Sequence, residues 1–182
     1  MAREVRGRNA GIFRLLRDRS GAVAAETALV SGFLALLIVQ VLDFGWFVYC
    51  SVQVRMAAQA AVARAATACS EDTLLPATVN CGADLKAKME AAANEVSIGG
   101  TITISEPDEG YFCHDPGDNN ALVEVGDLST KPADCTPYSA TAIPADFVYV
   151  TATYTFNPIF PGVSAISYMG GAMTADGWMR VG

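Results

Sequence analysis

One short segment of the sequence collects the residue types that most often carry out chemistry. The only histidine, His114, follows Cys113 and precedes Asp115. Any Ser-His-Asp or Cys-His catalytic set would have to use this histidine, whereas Cys113 is better explained as half of a disulfide. We therefore expect that the protein is not an enzyme.

The same segment offers hard oxygen ligands of the kind that calcium prefers, at Asp115, Asp118 and Asn120. Their spacing does not match an EF-hand loop, and Asp, Asn, Gly and Pro are also ordinary turn formers. We favour a turn without a metal and keep calcium as the alternative. The chain has no phosphate-binding Gly-Lys-Ser/Thr sequence and no dinucleotide fingerprint, so we expect no cofactor.

The charges divide the 182-residue chain into three parts. Its net charge of −7 and its 52% hydrophobic content argue against a general nucleic-acid binder and a disordered chain. Residues 1–21 carry a net charge of +4, residues 22–69 are neutral, and residues 70–182 combine fifteen acidic with four basic residues. We interpret residues 1–21 as a basic cytoplasmic leader, 22–68 as a long helix and 69–182 as an exported domain.

The neutral part has the composition of a membrane helix. Between Glu26 and Arg55 the only charged residue is Asp43, and about 20 apolar residues are enough to cross ~30 Å of hydrocarbon. We predict a single membrane span over about 22–48. A buried helix of a soluble protein is the alternative, although such helices rarely stay free of charge for this long.

The Arg-rich flank precedes the span, so the positive-inside rule leaves the N-terminus in the cytoplasm and exports the acidic domain. Asp43 and the aromatic side chains after it suit the outer membrane–water interface, where a solvated carboxylate is tolerated. These aromatic residues are Trp46, Phe47 and Tyr49. The expected topology is therefore a single-pass membrane protein with a cytoplasmic N-terminus and an exported C-terminal domain.

The helix continues beyond the membrane as an Ala-rich segment without Gly or Pro, up to residue 68. Ala57, Ala61 and Ala65 recur every four residues and form a small-residue stripe that lets another helix approach closely. Gly32 is a further small residue where helices can pack. The alternative for the stripe is packing against the chain's own domain, and both can hold if different faces are used.

A motif stands just before the apolar run. A basic leader is followed by Gly21, by the small residue Ala22 and by Glu26, five positions beyond the glycine. This arrangement resembles a type IV prepilin cleavage site. The resemblance implies a scissile bond after Gly21, Ala22 as the first residue of the mature chain, and Glu26 as the fifth-position glutamate. A carboxylate in an apolar helix is costly unless it is paired, and the α-amino group of a neighbouring subunit can supply that pairing.

The longer string from Arg17 to Ala68 resembles the TadE/TadG-like pseudopilins, or minor pilins, of tight-adherence (Flp-type) type IV pilus systems. This resemblance rests on three segments, which are Ala28-Leu29-Val30, Leu42-Asp43-Phe44-Gly45 and Ala63-Arg64-Ala65-Ala66. The resemblance implies an anchor in the inner membrane with a periplasmic C-terminal domain. It also implies a role in assembly or initiation of the pilus, with incorporation into the extracellular fibre as one outcome. The implied partners are other pilins and pseudopilins through the N-terminal helix, pilus platform proteins, prepilin peptidase and membrane lipid, without nucleic acid.

An uncleaved single-pass membrane protein with a periplasmic ligand- or envelope-binding domain is the alternative. For the exported part we predict an α+β fold with an antiparallel sheet of three to four strands, as a pilin-like subunit would have. We expect a helix over 84–95 and a loop over 111–120. The expected strands are 96–105, 122–125, 146–156 and 173–181.

Four of the five cysteines lie in this exported part, at Cys69, Cys81, Cys113 and Cys135. An even number outside the cytoplasm favours disulfides, and no Cys-x2-Cys spacing supports zinc. Of the three possible connectivities we favour Cys69–Cys81 with Cys113–Cys135, because each pair closes a loop between consecutive elements. For Cys50 we expect a free thiol, buried or facing lipid, with an intermolecular bond as the alternative.

Overall fold

The computed structural model describes residues 19–96, 99–119, 121–168 and 171–181. Residues 1–18 of the expected leader lie outside these ranges. The described chain contains three α-helices, which are α1 (Arg19–Ala68), α2 (Ala77–Asn80) and α3 (Leu85–Val96). Five strands follow, which are β1 (Ile102–Ile104), β2 (Asp108–Asp115), β3 (Ala121–Glu124), β4 (Ala145–Thr155) and β5 (Ala172–Arg180). The expected α+β class, with a long apolar N-terminal helix and a small antiparallel sheet, is confirmed.

The sheet is built around β4. β5 pairs antiparallel with one edge of β4, and all residues of β5 take part in this pairing. β1 and β2 both pair with the other edge of β4. The register places Tyr154 beside Ile102 and Asp146 beside Tyr111, while β3 pairs only with β2. The sheet therefore has five strands in the described residues, not three to four. The additional strand is β2, and its C-terminal half was wrongly expected to be loop.

Burial alternates along β4, and its even-numbered residues from Asp146 to Tyr154 face the helices. The second half of α1 packs on this inner face of the sheet, together with α3. At Gly177 of β5 the two layers approach so closely that a Cβ atom would overlap the backbone carbonyl of Ala58 in α1. The domain is thus assembled directly on the C-terminal half of the long helix.

The small-residue stripe of α1 has its neighbours within the chain. Ala57, Ala61 and Ala65 are fully buried in the same core cluster as Leu85 and Met89 of α3. Small side chains let the two helices pack closely, as the alternative in the sequence analysis proposed. The stripe is therefore not available to a helix of another subunit.

Two disulfides hold the domain together, and they are the two pairs favoured in the sequence analysis. Cys69–Cys81 links the end of α1 to the residue after α2, and Cys113–Cys135 links β2 to the segment before β4. Cys50 is a buried free cysteine on α1, and burial raises the pKa of its thiol. A bond from Cys50 to another molecule would require this core to open.

Candidate functional site

The long helix α1 has two halves with different surroundings. All residues from 21 to 38 are exposed, whereas from Asp43 onward one side of α1 packs against the domain. Among the described residues, α1 is the one helix long and apolar enough to cross a membrane, with a mean hydropathy of 2.2 over its most apolar window. At about 1.5 Å per residue, 18 helical residues cover roughly 27 Å, close to the ~30 Å hydrocarbon thickness of a bilayer.

The residues of the expected processing site all lie in the exposed half. Gly21, Ala22 and Gly32 are exposed on the helix, and a Cβ atom on either glycine would meet no other atom within 4 Å. Glu26 is exposed too, and it is the only charged residue between Gly21 and Asp43. No described residue forms a hydrogen bond or an ion pair with its carboxylate. Residues 21–38 therefore present one acid, which has no partner among the described residues, on an otherwise uncharged surface.

The exposed half ends where two polar side chains of α1 bind the loop between β4 and β5. Asp43 is fully buried, and its carboxylate accepts a hydrogen bond of 2.8 Å from the backbone N–H of Ile159 and one of 3.3 Å from Phe160. Gln40 donates to the carbonyl of Val163 at 3.2 Å and accepts from another backbone N–H of the loop. Asp43 was expected to be a solvated carboxylate, and the structure corrects this because the loop covers it.

The aromatic residues after Asp43 also contact the domain. The Trp46 indole N–H donates to the carbonyl of Asn157 at 3.2 Å, and the Trp46 ring stacks on Tyr49 at 5.5 Å between centroids. Phe47 packs edge-on against Phe156 at the end of β4. The junction between the exposed half of α1 and the domain is therefore a packed and hydrogen-bonded surface, and no flexible linker separates the two.

A pair of buried carboxylates lies on the inner face of the sheet, and the sequence analysis missed it. Glu109 is 2% exposed and accepts 2.7 Å hydrogen bonds from the backbone N–H groups of Ala77 and Thr78 in α2. Asp146 is 1% exposed, and one of its carboxylate oxygens has no partner among the described residues. The pKa of Asp146 is raised to about 7, first by burial and then by the neighbouring Glu109, while Lys131 opposes the shift.

The residues considered for chemistry do not converge. His114 is exposed on β2, and its neighbour Cys113 is in a disulfide. Asp115 accepts a 2.7 Å hydrogen bond from the backbone N–H of Gly117, as in an ordinary turn. Asp118 is exposed on the same turn, and Asn120 lies outside the described residues. Within the described ranges, no three His, Cys, Asp or Glu side chains are placed to hold a metal ion.

The outer face of the sheet carries an aromatic cluster, formed by Phe112, Phe147, Tyr149 and Trp178. Tyr149 and Trp178 stack at 4.3 Å between ring centroids, and the Tyr149 hydroxyl donates to Asp108 at 2.8 Å. An open cleft of about 460 Å³ continues from Phe112 and Phe147 towards Arg180.

Comparisons of the chain with protein-family models, with curated proteins and with solved structures each found no match.

Proposed function

We propose that this protein is a TadE/TadG-like pseudopilin that is anchored in the inner membrane and acts in assembly or initiation of a tight-adherence type IV pilus. One observation carries the proposal. The N-terminal half of α1 is an exposed apolar helix with Gly21 near its start and Glu26 five positions later, without a partner among the described residues, while the other half is fixed in a small domain. A subunit that packs side by side with others needs such an exposed helix for the packing, while its domain stays folded on the other half of the helix.

The chemistry of the proposed assembly follows from Glu26. An acidic side chain within an apolar membrane helix is costly unless it is paired, and Glu26 has no partner among the described residues of its own chain. Cleavage after Gly21 would create an α-amino group on Ala22, and this cation could pair with the Glu26 carboxylate of a neighbouring subunit. Other pilins, platform proteins and prepilin peptidase are thus the proposed partners, and a cytoplasmic ATPase would supply the energy for extraction.

Mass spectrometry of the protein extracted from the membrane tests the processing step. We expect an N-terminus at Ala22 in the wild type and an intact leader in Gly21→Asp. The matched control is Gly11→Asp, which places the same change in the leader away from the motif and should leave cleavage intact. An uncleaved N-terminus in cells that make the pilus would contradict the processing step.

Deletion of the gene tests the role in the pilus. We expect loss of piliation and of surface attachment, restored by the wild-type gene and not by Glu26→Ala. Unchanged piliation in the deletion strain would contradict the proposal. It would favour a single-pass membrane protein whose periplasmic domain binds a ligand or the envelope, for which the cleft beside Phe112 is the place to search.

A further inference from the structure

The loop of residues 157–168 between β4 and β5, here called the β4–β5 loop, lies against α1 where the exposed half of the helix ends. Asp43 and Gln40 bind its backbone at Ile159, Phe160 and Ala165, with the shortest distances at 2.8 Å. The 18 exposed residues before this level cover roughly 27 Å of helix. A bilayer that surrounds the exposed half would therefore have its outer boundary at the height of this loop.

The backbone N–H groups in the middle of the loop have hydrogen-bond partners within the chain. Non-helical backbone is tolerated at membrane depth only where its polar groups have partners. Pro158 and Pro161 carry no N–H group. Every other residue from 158 to 165 donates a hydrogen bond from its backbone N–H. The acceptors are the Asp43 carboxylate, the Gln40 side-chain oxygen, the Ser167 hydroxyl and the carbonyl of Phe160.

The surface of the loop is apolar and uncharged. Ile159 and Val163 are each 53% exposed, and Tyr168 is 82% exposed. No Asp, Glu, Lys or Arg occurs between Asp146 and Asp176, although residues 70–182 as a whole carry a net charge of −11. The loop is thus an uncharged part of an acidic domain, and it can approach a membrane without electrostatic cost.

This apolar surface continues onto the helix. At the height of the loop, Val41 is 71% exposed and Phe44 is 58% exposed on α1. Apolar side chains of an element that lies on a membrane enter the boundary between headgroups and acyl chains by about 5–10 Å. Lipid that surrounds the exposed half of α1 would meet the loop next, because the loop binds α1 where that half ends.

We propose that the β4–β5 loop is a second membrane contact, with Ile159, Val163 and Tyr168 inserted into the outer headgroup–acyl boundary beside α1. The loop and the helix together then hold the domain in one orientation on the bilayer. The inference depends on α1 entering a membrane, and it does not depend on cleavage after Gly21 or on pilus assembly.

Tryptophan fluorescence of the full chain in phosphatidylcholine vesicles tests this contact. Tyr168→Trp and Val163→Trp each add a tryptophan to the loop, and the emission of the wild type is subtracted. The matched control is Ile143→Trp, because Ile143 is an exposed apolar loop residue near the other end of β4, roughly 33 Å away at ~3.3 Å per strand residue. Vesicles with brominated acyl chains are compared with unbrominated vesicles, and flotation of the vesicles reports whether α1 is inserted.

The expected result is a blue-shifted emission for both loop variants and its loss in brominated vesicles, with no such loss for Ile143→Trp. Equal quenching of the loop variants and the control, in a protein that floats with the vesicles, would overturn the membrane contact and leave the proposed function standing. Failure of the wild type to float would instead overturn both, since α1 would then not be a membrane helix.

Discussion

Replacement of Asp146 by asparagine should change how the stability of the domain depends on pH. Asp146 is buried beside Glu109, and its pKa is raised from 3.8 to about 7, first by burial and then by the Glu109 carboxylate. Because the folded state holds this proton more tightly than the unfolded state, the free energy of unfolding falls as the pH rises through the interval between these two values.

The size of the effect follows from the pKa shift. Three pKa units at about 1.4 kcal/mol each give an upper limit of about 4 kcal/mol. This stabilisation is fully present below the unfolded pKa and is lost once the pH exceeds about 7. Asparagine stays neutral at every pH, and its amide can donate to Glu109 as a protonated Asp146 would. Asp146→Asn should therefore be more stable than the wild type at pH 8, with a smaller difference at pH 5.

The assay is urea unfolding of the full chain in detergent micelles at pH 5 and at pH 8, followed by circular dichroism. The matched control, Asp118→Asn, removes a carboxylate from an exposed turn and should keep the wild-type pH profile. Parallel profiles of Asp146→Asn and the wild type would refute the reasoning, since they would mean that Asp146 is charged in the folded domain at both pH values.

Three further predictions concern packing at the helix. Gly177→Ala should lower the free energy of unfolding by about 1–3 kcal/mol, because its Cβ overlaps the α1 backbone, whereas Gly171→Ala in open space should lower it much less in the same urea titration. Asp43→Ala should lower the free energy of unfolding by about 1–3 kcal/mol, because the backbone N–H groups of Ile159 and Phe160 lose their carboxylate acceptor, and faster hydrogen exchange at Phe160 would be the readout. Cys50 should react with maleimide only after unfolding, because it is buried; rapid labelling of the native protein would contradict its placement.

Elements with a regular local pattern could be predicted from the sequence. The strand expected over 146–156 is β4 at Ala145–Thr155, and the helix expected over 84–95 is α3 at Leu85–Val96. Both have a clear period of apolar residues. β2 lacks such a period, because its inward positions include the acid Glu109 and its end is rich in turn-forming residues. A charged residue at a buried position is invisible to hydrophobic patterning.

The candidate site could be predicted only where its residues are close in sequence. Gly21, Ala22 and Glu26 form a local motif on a helix, and the structure places them together on its exposed half. The role of Asp43 depends on Ile159 and Phe160, which are more than a hundred residues away. Nothing near Asp43 in the sequence indicates that a loop covers it, so its burial requires the tertiary structure.

The unbroken helix α1 also fixes an angle between the free half and the domain. Glu26 and Gln40 are fourteen residues apart, and at about 100° per residue this separation is roughly 40° short of four full turns. Glu26 therefore points to nearly the same side of α1 as Gln40. The β4–β5 loop lies on this side of the helix, because it binds Gln40. A neighbouring subunit that approached Glu26 at equal height would bring the two domains into collision. Subunits that pair through Glu26 must therefore be staggered along the helix axis.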